Sequence, residues 1–118
     1  MRLLVCGGRD YADLATAFAV LDIIHKSRPV STVIEGGARG ADRLGRQWAD
    51  ALRIPVVTYA ADWDKHGKAA GHIRNALMLS HGKPDFVVAF PGGAGTANMV
   101  RIAQEAGVPV WRHWKEPA

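Results

Sequence analysis

Three glycine-rich stretches carry most of the residues that could do chemistry in this chain. They are Gly7-Gly8-Arg9-Asp10, Gly36-Gly37-Ala38-Arg39-Gly40-Ala41-Asp42 and Pro91-Gly92-Gly93-Ala94-Gly95-Thr96. Glycines lack the Cβ that would fend off a ligand, they permit positive φ, and a helix starting at such a loop aims its first free amides and the positive end of its dipole into the same space. That geometry suits a phosphate. One such loop is equally well a tight turn with no ligand, and it is the recurrence that tips the reading. Arg9, beside a glycine turn, can clamp phosphate or carboxylate bidentately, its plain alternative being an ion pair with Asp10 or Asp13. Asp42 is a first-turn acid favoured by the helix dipole, with a hydrogen bond to ribose hydroxyls as the other possibility. Arg74 falls one turn into a helix, where a cation opposes the local dipole and wants an anion nearby. Asn75 beside it can bond a ligand or a loop carbonyl.

These side chains need elements to hold them. Arg2 to Cys6, Ser31 to Glu35, Ile54 to Tyr59, Asp85 to Ala89 and Val108 to Trp111 are short apolar runs, each read as a strand. Helical patterns follow: Leu14, Phe18 and Leu21 on one face of the first, and Ala41, Leu44, Trp48, Ala49 and Leu52 inward on the second. Ile73 and Leu77 form the apolar face of the third, and Met99, Ile102, Ala103 and Ala106 that of the last. His81-Gly82 reads as a C-cap and Gly107 as a stop. Residues 60–71 have no clear period and read as an irregular loop, in which Trp63 either stacks on a base or packs over a sheet edge. Five strands alternating with helices predict one α/β domain over residues 1–118, a doubly wound parallel sheet of order 3-2-1-4-5 with helices on both faces. That order brings the three glycine loops to one crevice at the carboxyl ends of the strands. The expected ligand-binding residues are Gly7, Gly8, Arg9, Gly36, Gly37, Arg39, Gly40, Asp42, Arg74, Asn75, Pro91, Gly92, Gly93, Gly95 and Thr96.

The rest of the sequence narrows the classes. At 118 residues, with 48% hydrophobic and 22% charged residues, the chain is sized for one core. The lone Cys6 forms no intrachain disulfide, and the apolar opening is too short for a signal peptide or membrane span, so a cytoplasmic protein is expected. A formal charge of +4 fits an anionic partner without naming it, and no basic block marks a nucleic-acid arm. Neither G-x-G-x-x-G nor G-x-x-x-x-G-K-[ST] occurs, which argues against hydride transfer and P-loop hydrolysis. No cofactor is implied, and His66, His72 and His81 show no metal-ligand spacing. Single-stranded nucleic-acid binding, with Trp63 as a stacking platform, is a weaker alternative to a small ligand.

Together with Ala70-Gly71-His72-Ile73-Arg74-Asn75, these blocks resemble the SLOG superfamily, which includes the Lonely Guy phosphoribohydrolases and the Smf DNA-processing proteins. They are most similar to its small YspA-like, YpsA-related group. The resemblance implies a Rossmann-like fold that binds nucleotides or nucleotide-derived ligands, such as nucleoside monophosphates or ADP-ribose, as a sensor or processing protein. It also implies association into a homodimer or larger assembly, to which the four Trp residues add apolar surface. Lonely Guy enzymes cleave N-glycosidic bonds with P-G-G-x-G-T-x-x-E, and this chain matches through Thr96 but has Met99 at the glutamate's place. A carboxylate for such hydrolysis would have to come from Asp10, Asp42 or Glu35.

Overall fold

A computed structural model describes residues 1–114. Strands β1 (Arg2–Cys6), β2 (Thr32–Glu35), β3 (Val56–Thr58), β4 (Phe86–Ala89) and β5 (Val110–Arg112) form one parallel sheet in the order β3-β2-β1-β4-β5, as the alternation of elements required. In register, Leu3 faces Val33 on one side and Phe86 on the other. Alternation along β1 divides the core in two. Leu3 and Val5 join Val33 and Val88 beneath helices α1 (Leu14–Ser27) and α2 (Ala41–Ala51). Leu4 and Cys6 join Ile34, Val87 and Ala89 beneath α4 (Ala70–Ser80) and α5 (Ala94–Glu105). A strand with both faces covered must be apolar throughout, which is why β1 lacks a polar alternation. Trp48 ties α2 to α1: the ring is buried and its Nε1–H donates to Asp22 Oδ1 at 2.8 Å.

The elements depart from expectation where tertiary contacts overrule local pattern. Residues 60–71 are not irregular: Asp62 caps a four-residue helix α3 (Trp63–His66), a 3₁₀ turn (Gly67–Ala69) follows, and α4 begins at Ala70. The Asp62 carboxylate accepts from Lys65 N–H, so a capping signal was present in a helix too short to show a period. On α4 the expected apolar face is turned outward. Ile73 and Leu77 are exposed, whereas Asn75 and Met78 are buried, because Asn75 Nδ2–H donates to Gly95 O and to Asn98 Oδ1 of α5. Leu14 and Leu52 also lie exposed, and Ala106 lies outside the core. Lys83, not Gly82, takes the left-handed conformation after α4. Arg112 closes β5, one residue beyond the strand expected to end at Trp111, and residues 115–118 lie outside the described ones. Among the described residues no helix is long and apolar enough to cross a membrane.

Candidate functional site

Strand order reverses between β1 and β4, and in an open α/β sheet ligands bind at the carboxyl ends beside that reversal. A cleft of about 390 Å³ lies there. Its buried lining comprises Cys6, Asp42, Asn75, Met78, Thr96 and Met99, and around these stand Gly7, Gly8, Arg9, Gly71, Gly93 and Gly95, with Lys68, His72, Arg74 and Trp63. A neighbouring cavity shares Arg9, Ala38, Trp63 and Arg74 with it and is lined further by Gly36, Gly37 and Arg39. Pro91 and Gly40 line neither, and Gly92 borders a third cavity on the far side of α5.

The three glycine loops meet, but their amides are spent differently. Gly8 N–H donates to Pro91 O at 2.9 Å, and Gly8 O accepts from Ala41 N–H at 3.1 Å, so the first loop is bonded to both others. In the second loop Asp42 Oδ2 accepts from Gly36 and Ala38 N–H, at 3.1 and 3.2 Å, and Glu35 Oε1 accepts from Gly37 N–H at 3.0 Å. Those donors already have their acceptors. The third loop differs. Gly93 caps α5 without a side chain, and the first N–H its carbonyl receives is that of Ala97. Helix geometry therefore leaves the amides of Ala94, Gly95 and Thr96 free, and no protein group among the described residues accepts from them. Gly93 and Gly95 have open space where a Cβ would stand.

Arg74 answers its unfavourable place on α4 with a carbonyl: Nη1–H donates to Gly36 O at 2.6 Å, and Nε–H to Asn75 Oδ1 at 3.0 Å. Asn75 serves the Gly95 carbonyl in the first turn of α5 while still lining the cleft. Arg9 does not pair with Asp10 or Asp13. Its guanidinium lies over the Trp63 ring, 5.1 Å from the centroid. Asp13 instead caps α1 through Thr16 N–H. Arg39 pairs with Asp10 at 3.1 Å in an exposed contact that contributes little to stability. Of the three carboxylates considered for catalysis, only Asp42 lines the cleft. Asp10 lies outside it, and Glu35 is fully buried off its wall, where Oε2 has no hydrogen-bond partner among the described residues.

Burial pushes the Asp42 carboxyl up to about 6, and the Glu35 charge adds to the rise. The Ala38 and Gly36 amides and Arg74 oppose it without cancelling it. A carboxyl raised in the folded state binds its proton more tightly there than in the unfolded chain. Its stabilising effect is whole below the unfolded value of 3.8 and is lost as pH rises through about 6. Asp42→Asn keeps an oxygen acceptor for both amides and removes the charge. It is expected to raise stability near neutral pH by on the order of 2–3 kcal/mol and to change little near pH 4. Thermal unfolding of both proteins at the two pH values checks this. Burial likewise pushes the Cys6 thiol up, leaving it a poor nucleophile.

Sequence reasoning left Trp63 between stacking on a base and packing over a sheet edge and gave Lys68, Gly71 and His72 no ligand contact; all four line the cleft and belong to the stretch read as irregular or to the start of α4. Met99 is buried and lines the cleft as apolar surface. Among the described residues no three of His, Cys, Asp and Glu gather as a metal site.

Fold and cleft define a doubly wound α/β domain with a cleft lined by glycines at its switch point. A family model for the YspA, cpYpsA-related SLOG family matches residues 1–66, and the chain belongs to that family. It is also 39% identical to the Gene 61 protein of Mycobacterium phage D29, over an alignment of 124 residues covering 98% of each chain. No solved structure matches it.

Proposed function

We propose that this domain binds a nucleotide or nucleotide-derived ligand, of the nucleoside monophosphate or ADP-ribose kind, and works as a sensor or processing protein. The observation that carries the reading is the open start of α5, where three free amides and two uncrowded glycines border a cleft that also holds Arg9, Lys68, His72 and Arg74. A phosphate there meets the positive end of the α5 dipole and receives charge-assisted hydrogen bonds. Membership of the SLOG family supports a nucleotide-related function in general. A ligand that binds only the folded chain must raise its melting temperature. Nucleoside monophosphates and ADP-ribose are expected to do so and the free nucleosides to do so far less; no shift with any of them contradicts the proposal. Association of copies belongs to the same proposal, supported by the exposed Ile73 and Leu77 one turn apart on α4.

One observation favours a second reading, hydrolysis of the N-glycosidic bond. Asp42 is a carboxyl of raised pKa at the cleft wall, the kind of group that serves general acid–base chemistry near neutral pH. Against it, both Asp42 acceptor bonds hold the second loop, and Met99 offers neither base nor charge to an oxocarbenium ion. Binding without turnover is expected. Chromatography for free base after incubation with nucleoside monophosphates checks it, and base release that scales with protein and stops in Asp42→Asn overturns it.

A further inference from the structure

Trp63 is 48% exposed, although α3 places it on the lining of the cleft. An indole left in water forgoes the burial that normally stabilises it, whereas Trp48 is 2% exposed in the same fold. Three features give the ring a defined setting. It lines both the main cleft and the neighbouring cavity, so it stands at their common border. The Arg9 guanidinium lies over it, holding a planar cation on a planar ring. Gly71 lies beside the indole edge, where a Cβ would be in ordinary contact with the ring at 3.5 Å. The same cleft reaches the free amides of α5.

We infer that the Trp63–Arg9 pair is the stacking platform for the base of the ligand, in the same cleft as the phosphate. This rests on the nucleotide reading above and adds to it the residues that distinguish a nucleotide from a sugar phosphate. Aromatic stacking accepts every base and favours the larger ring, so purine ligands bind more tightly than pyrimidine ones. The platform sets a preference for base size, not for a hydrogen-bond pattern.

The test compares affinities for adenosine monophosphate, cytidine monophosphate and ribose 5-phosphate by calorimetry in the wild-type protein, Trp63→Ala and Trp63→Phe. In the wild type, adenosine monophosphate is expected to bind about ten- to a hundred-fold more tightly than ribose 5-phosphate, the range of one base stacked on one aromatic ring. Trp63→Ala should bring that ratio close to one, and Trp63→Phe should retain most of it, which separates stacking from damage to the fold. Wild-type binding of all three ligands with equal affinity overturns the platform and leaves the phosphate site standing. A ratio unchanged in Trp63→Ala does the same. Absence of binding by any of the three in the wild type overturns the nucleotide reading and the platform with it.

Discussion

Gly40→Ala is expected to destabilise the domain by about 3–4 kcal/mol, a large share of the total for a small domain. Gly40 caps α2 at φ 77° and ψ −130°, a region open in practice to glycine alone. A Cβ there would also run into Gly8 O and lie 2.6 Å from the carbonyl carbon and oxygen of Arg9. These are backbone atoms of the first glycine loop, fixed in turn by the bonds Gly8 makes to Pro91 and Ala41, so they cannot rotate aside as a side chain would. Denaturant unfolding should show a lower midpoint at an unchanged slope. A loss under about 1 kcal/mol would mean that the two loops are not packed backbone to backbone.

Gly93→Val is expected to weaken nucleotide binding by at least about a hundred-fold while costing the free protein only about 1 kcal/mol, the difference between glycine and valine at a helix N-cap. A Cβ at Gly93 meets no atom within 4 Å and the residue's φ is −98°, so neither crowding nor a left-handed backbone penalises the substitution. The added methyls occupy the space over the first-turn amides of α5. Each charge-assisted bond lost there is worth about 1.5–3 kcal/mol, so losing one or two accounts for the effect. Calorimetric titration with adenosine monophosphate measures it. Arg74→Ala probes the idea less cleanly. It removes the ties to Gly36 O and Asn75 and takes a cation away from Asp42, so lost binding would be mixed with a rearranged second loop.

The contrast between these glycines marks what the sequence made legible. Strand positions, sheet order and the meeting of three loops follow from local signals: short apolar runs, glycine punctuation and the chirality of parallel crossovers. What each loop does with its amides does not. Asp42 reaches back six residues to Gly36, and the Glu35 side chain to Gly37, contacts that no periodicity encodes. The same holds for α4. Ile73 and Leu77 carry the helical spacing of a core face, yet the orientation is set by Asn75 bonding Gly95 and Asn98, 20 and 23 residues further on. A buried asparagine bonded to three partners, Gly95, Asn98 and Arg74, outweighs two leucine-sized side chains, because leaving its polar atoms unpaired would cost more than leaving those exposed. Trp63 stayed between base stacking and packing over a sheet edge for a simpler reason: a four-residue helix has too few turns to show which side it presents.

Amide NMR of uniformly ¹⁵N-labelled protein titrated with adenosine monophosphate tests most directly whether a phosphate sits at the start of α5. Saturable shifts largest at the amides of Gly93, Ala94, Gly95 and Thr96, with those of Gly36, Gly37 and Ala38 moving less because their acceptors stay in place, are the predicted result. No saturable shift at the α5 amides, or shifts confined to the second glycine loop, would contradict it.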